Sequence, residues 1–271
     1  MTDPFPQRTE MADESMVRNL TAQAECIWPQ ESALLARYGL AGDLRILDAG
    51  CGTGEITTRL AAHHPAARVL GIDVLDSHLD LARERAQALG ARVAFEHRSV
   101  YDTGLPEGAF DLTVCRHVLQ ALPEPERVLA ELVRITRPGG WLHLIAEDYD
   151  MLHFSGRTPD ARDFWYEAAA RYGEAKGCDL FIGRHIVPIL ASLGLRDITL
   201  DLVVVDTLRC PREAFARILT AWRDGYAAPI AEVTSFSPER AREYFDAMIA
   251  DIRDPRTYAA WFVPVVGARV P

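Results

Sequence analysis

The stretch that most constrains the fold is Ile46-Leu47-Asp48-Ala49-Gly50-Cys51-Gly52-Thr53-Gly54-Glu55. An apolar run ends in an acid, and glycine then takes alternate positions. Glycine tolerates positive φ and leaves the backbone bare to a ligand. Ile56-Thr57-Thr58-Arg59-Leu60-Ala61-Ala62 follows at helical spacing, so the segment reads as strand, tight turn, helix. Such a unit opens a doubly wound sheet that holds its ligand at the strand's carboxyl end. The dinucleotide fingerprint G-x-G-x-x-G would need a third glycine where Glu55 stands. A carboxylate opposes a pyrophosphate at a helix N-terminus. NAD and FAD are therefore disfavoured, and a cofactor with adenosine but no phosphate is favoured.

Composition removes several classes. A net charge of −10 argues against nucleic acid as a main partner, because phosphate contacts need clustered Lys and Arg. Five cysteines, an odd number with no C-x-x-C pair, indicate reduced thiols in a cytosolic setting and no structural zinc. Met1 to Glu14 is acidic and polar, unlike a signal peptide, and no apolar run reaches membrane-spanning length. The expectation is a cytoplasmic protein without metal or membrane partner, 271 residues long, monomeric or homodimeric.

The D-A-G-C-G-T-G run (Asp48, Gly50, Cys51, Gly52, Gly54) resembles motif I of the class I S-adenosylmethionine (SAM) methyltransferases. The nearest likeness is to the small-molecule branch of the ubiquinone/menaquinone-biosynthesis type. It extends from about Leu44 to Asp148, with looser flanks. Arg68-Val69-Leu70-Gly71-Ile72-Asp73 is a second strand ending in an acid some 20 residues beyond the glycine loop, placed to accept from a ribose diol. The resemblance assigns Asp73 that role, with Val74 packing on adenine. In many relatives an Asp stands where Ser99 does here; Ser99 and Val100 are taken as adenine neighbours. Cys115-Arg116-His117-Val118 resembles the motif IV region, which places the backbone of Cys115 and Arg116 beside the cofactor's methionine end. R-x-x-R-P-G-G, ending at Gly140, is a structural landmark of the same family.

Candidate catalytic groups are Tyr149 and His153, in the cluster Glu147-Asp148-Tyr149-Asp150-Met151-Leu152-His153 after strand five, and His117. Glu147, Tyr149 and His153 are also acceptor-binding candidates, together with Gln23 and Trp28 ahead of the first strand. Residues 13–38 read as two helices, split near Pro29, that lie over the sheet as a lid, behind a mobile tail at Met1 to Ala12.

The expected architecture is α/β. It is a doubly wound, Rossmann-like, seven-stranded sheet, mostly parallel with an antiparallel strand seven, with a lid at 1–40. The methyltransferase domain spans 41–271, with helical insertions at about 150–192 and 211–254. Pro264 falls inside strand seven, where proline suits only an edge or irregular position. The resemblance implies methyl transfer from SAM to an O, N, S or C of a small-molecule acceptor. The alternatives are a SAM-binding protein without transfer and a NAD-dependent oxidoreductase.

Overall fold

The computed structural model describes residues 4–156 and 159–271. Four parallel strands carry the glycine loop and its neighbours: β1 (Arg45–Ala49), β2 (Arg68–Asp73), β3 (Val93–His97) and β4 (Phe110–Arg116). β5 (Thr136–Ile145) continues parallel to β4, and β8 (Ala259–Arg269) runs antiparallel to it. The order is β3-β2-β1-β4-β5-β8, with β6 (Leu152–Phe154) and β7 (Arg196–Asp206) both pairing β8. β1 and β4 are buried almost throughout, as strands covered on both faces must be, which explains their continuous apolar runs.

The antiparallel closing strand agrees with expectation, but the described residues form eight strands and not seven. The extra one, β6, is only 3 residues long and too short to leave an alternation signal. It also accounts for Pro264. On that edge β8 pairs first with β6 and then, from Val265, with β5. Phe262 N–H donates to Met151 on this side, so with period two the Pro264 nitrogen faces the gap between the two partners.

Helices α3 (Glu55–His63), α4 (Asp76–Arg85), α5 (Pro125–Ile135) and α7 (Ile182–Ser192) flank the sheet, while α6 (Ala161–Lys176), α8 (Arg212–Val233) and α9 (Pro238–Arg253) build an aromatic-rich second cluster beside it. None of the described helices is long and apolar enough to cross a membrane.

Two features of the N-terminus differ from expectation. The first three residues of the supposed tail lie outside the described residues. The remainder is fixed: α1 (Arg8–Met11) is anchored by Arg8 donating to Val74 O at 2.6 Å and by Lys176 pairing with Glu10 at 2.7 Å. The two helices beyond it are one, α2 (Glu14–Leu35), with Pro29 inside. Proline removes one ladder bond and costs about 3 kcal/mol in a helix interior. Tertiary bonds beyond it hold the continuation in place. The Gln30 amide donates to Val204 O at 2.8 Å and accepts from Val204 N at 3.2 Å, filling part of the β7 edge. Glu31 is fully buried and sits 2.7 Å from Arg116 Nε and 3.0 Å from His143 Nε2. Tyr38 extends the chain of contacts to His143 Nδ1 at 2.8 Å.

Burial pushes the Glu31 carboxyl up, but Arg116 and His143 outweigh it and pull the pKa down to about 2. A depressed carboxylate contributes stability above its unfolded pKa of about 4.3 and loses it as pH falls through the folded value. Glu31→Gln leaves Arg116 buried and uncompensated, so urea unfolding at pH 7 should show a loss of about 3–5 kcal/mol. The gap to wild type should narrow as pH is lowered from about 4 towards 2.

Candidate functional site

Gly50 and Gly52 sit at φ of +73° and +49°, and the N–H groups of Gly50 and Cys51 both donate to Ile72 O, at 2.8 and 2.9 Å. The loop is thus folded back onto the end of β2. A Cβ at Gly50 would lie 2.4 Å from Val118 Cγ2, and one at Gly52 2.8 Å from Leu20 Cδ1. Asp73 closes the loop, its Oδ2 accepting from Gly52 N at 2.8 Å and its Oδ1 from Leu75 N at 3.0 Å.

These residues line a cavity of about 640 Å³, mouth included, whose walls include Val74, Leu75, Val100 and Leu122 and whose cations are Arg98 and Arg116. Asp48 and Cys51 line an adjoining recess with Gly50, Gln23, Arg116 and His117. Asp48 accepts from the Thr57 hydroxyl at 2.6 Å, and burial lifts its pKa to about 6.

Three expected cofactor residues are not on these walls. Ser99 Oγ accepts from Tyr101 N at 3.1 Å, shaping the turn, and its neighbours Arg98 and Val100 line the cavity instead. Cys115 is fully buried in the core, and the wall is formed by the next residues, Arg116, His117 and Val118. Gly54 starts α3 at positive φ and packs on Ala82 and Phe95, which a Cβ would approach to 2.9 and 3.1 Å.

A second cavity, of about 710 Å³ with its mouth, adjoins the first and shares Met11, Leu20, His117 and Ala121 with it. His117 follows β4 at φ +56°, a conformation that costs a non-glycine residue about 1 kcal/mol or more. Its N–H donates to Ile145 O at 3.1 Å. Its Nδ1 is 2.5 Å from Oε1 of Glu147, which follows β5 and is buried. An ionised carboxylate can only accept, so a neutral ring donates from Nδ1 and is left with its lone pair on Nε2. Nε2 is buried and has no partner among the described residues. An acceptor for a proton is therefore held where two cavities meet.

Gln23 and Tyr149 also line the second cavity, whereas Trp28 and His153 do not. Trp28 packs edge-on against His63, with ring centroids 6.0 Å apart. His153 is exposed on β6 and meets Phe262 at 5.6 Å, while Leu152 beside it points inward. Strand alternation put the leucine inside and the imidazole outside. Tyr149 stacks on Trp165 at 5.5 Å, and burial first, then Glu147, hold its pKa well above the ordinary phenol value, which makes it a poor base. Sequence reasoning missed Asn19, Gln120, Trp222 and Tyr226, which reach the cavity from α2, the turn after β4 and α8. No local pattern marks them, because only the packing of distant elements brings them together.

Gly50→Ala should lower unfolding stability by about 1–3 kcal/mol through strain and overlap with Val118. Adding Val118→Ala should recover only part of that loss in chemical denaturation, since the backbone strain persists.

The parallel strands with ligand-sized cavities at their carboxyl ends define the fold of the class I methyltransferases. Residues 46–140 match the family described as a methyltransferase domain. Over 159 residues the chain is 35% identical to a trans-aconitate 2-methyltransferase of Deinococcus radiodurans, covering 57% of this chain and 59% of that one. Across the first three curated relatives the chain spans 29%, 59% and 40% of their lengths. A phosphoethanolamine N-methyltransferase of Haemonchus contortus solved with S-adenosylhomocysteine superimposes with a TM-score of 0.62 at 19% identity, covering 98% of this chain and 59% of that one. A [4+2]-cyclase superimposes with a TM-score of 0.55 at 22% identity, covering 89% and 80%. At these identities the structural likeness establishes the fold.

Proposed function

We propose that the protein transfers a methyl group from SAM to a small-molecule acceptor, and that His117 is the base. The observation that carries this reading is the unpartnered His117 Nε2 at the junction of the two cavities, with its other nitrogen held by Glu147.

The first cavity fits the cofactor. Asp73 has acceptor capacity left for a ribose diol, Val74, Leu75 and Val100 offer apolar walls to adenine, and Arg116 brings a cation for the amino-acid carboxylate. When bound, SAM supplies an electrophilic methyl on sulfur. The chain's own residues then orient and deprotonate. Glu147 fixes the imidazole tautomer, His117 Nε2 takes the acceptor's proton, and α1 and α2 exclude water from above. Alignment of this kind can account for about 7–11 kcal/mol of barrier lowering. The same reading treats residues 1–40 as a lid on a domain at 41–271, in a cytoplasmic protein that is a monomer or homodimer without nucleic-acid partners. The acidic balance of −10 supports the last point.

Two rivals weigh less. A NAD-dependent oxidoreductase is opposed by Glu55, which is buried at the α3 N-terminus and paired with Arg59 at 2.5 Å and Arg85 at 2.8 Å. A SAM-binding protein that transfers nothing has the same fold available to it, because fold does not fix chemistry. The orphaned base favours transfer.

Incorporation of labelled methyl from SAM tests this directly. His117→Asn should lower kcat by about 10²–10⁴, leaving S-adenosylhomocysteine affinity within a few-fold. His153→Ala should turn over like wild type. A His117 variant with wild-type kcat would remove the base assignment. For the cofactor, Asp73→Ala should weaken S-adenosylhomocysteine binding by about 1.5–3 kcal/mol in calorimetry.

A further inference from the structure

The two cavities differ in charge. The cofactor cavity carries Arg98, paired with Glu96, and Arg116, paired with Glu31, whereas no Lys or Arg is present among the described residues that line the second, whose one carboxylate is Glu147. Lys176, whose Nζ lies 5.5 Å over the ring of the wall residue Tyr172, is already committed to Glu10 at 2.7 Å and to Pro6 O at 3.2 Å. An anion entering this space would meet no cation of the lining, only neutral donors such as the unpartnered Gln7 Nε2, and a bare charge in a poorly hydrated site is penalised heavily.

The remaining surface has two characters. Tyr149, Trp165, Tyr172, Trp222, Tyr226 and Phe245 present rings, several in mutual contact, such as Trp165 and Trp222 at 5.9 Å. Buried atoms without a partner among the described residues are mostly acceptors here, Asn19 Oδ1, Gln23 Oε1, Gln120 Oε1, Glu147 Oε2 and His117 Nε2, against one amide donor, Gln7 Nε2. Buried acceptors without donors are costly, and a cavity that carries several is built to receive donors from its occupant.

We infer that the acceptor is an uncharged molecule with a ring-bearing or otherwise apolar body that presents O–H or N–H donors, and that the cavity excludes polyanions. This rests on reading the second cavity as the acceptor site. The amide oxygens and His117 Nε2 receive the donors, and the one nearest His117 is the group deprotonated. The specificity departs from the substrate named for the Deinococcus relative, trans-aconitate, which is a tricarboxylate.

The test uses the full chain saturated with S-adenosylhomocysteine at pH 7.5, following quenching of Trp165 and Trp222 fluorescence and heat by calorimetry. The probes are naphthalene-2,3-diol, its dimethyl ether, 2-naphthoate and trans-aconitate. The diol should bind roughly tenfold or more tightly than the ether or the carboxylate, the worth of one or two hydrogen bonds, and trans-aconitate should not saturate. Gln120→Leu should shrink the preference for diol over ether, and Gln120→Lys should raise 2-naphthoate affinity. Equal or tighter binding of either anion in wild type, a diol no better than its ether, or no diol binding at millimolar concentration would each overturn the inference. Methyl incorporation into the same probes is read separately. A diol that binds selectively but is never methylated leaves the acceptor class standing and defeats the transfer reading. A methylated trans-aconitate does the reverse.

Discussion

One buried carboxylate organises the site. Glu31, on the helix that covers the sheet, forms an ion pair with Arg116 at the end of β4 and hydrogen-bonds with His143 inside β5. The helix is thereby fixed in rotation and height over β4 and β5. Removing either partner would leave a charge stranded in the interior, so the three groups stand or fall together. Arg116 and His117 are consecutive, and only β4 running to its end in a fixed register gives each residue its own environment. The guanidinium lines the first cavity, while the imidazole, turned by its positive φ, stands where the two cavities meet. Its orientation depends in turn on Glu147, delivered by the neighbouring parallel strand.

The division of charge follows from this construction. Cations line the first cavity, proposed for the cofactor, and amide oxygens and rings line the second, proposed for the acceptor. Many reactions share this fold, and a cyclase superimposes on the chain about as well as several methyltransferases do. The sheet therefore says little about chemistry. The distinguishing statement is made by a few side chains at its carboxyl edge.

How much of this was legible varies with the range of the interaction that decides it. The places of Gly50 and Gly52 in a tight loop and of Asp73 at a strand end were legible because a turn of three residues and a strand end carry their own signature. Glu55 was enough to argue against a dinucleotide. His153 misled because an imidazole in a polar cluster looks chemical, whereas a three-residue strand decides which way it points, and three residues leave no periodic trace. Pro29 suggested a break that tertiary bonds from Gln30 and Glu31 override. The pairing of His117 with Glu147 spans two parallel strands and the crossover between them, so nothing local announces it. The same holds for Asn19, Gln120 and Trp222, which meet only after α2 and α8 have packed on each other.

The central claim is that His117 is held as a base, with Nδ1 protonated towards Glu147 and Nε2 free. Long-range ¹H–¹⁵N correlation spectra of the histidine ring, assigned with His117→Asn, report the tautomer directly. At pH 8 the His117 ring should show a protonated Nδ1 and an unprotonated Nε2, and Glu147→Gln should weaken that preference. A ring protonated at Nε2 alone in the wild type would place the lone pair against the carboxylate and away from the acceptor cavity, and would contradict the claim.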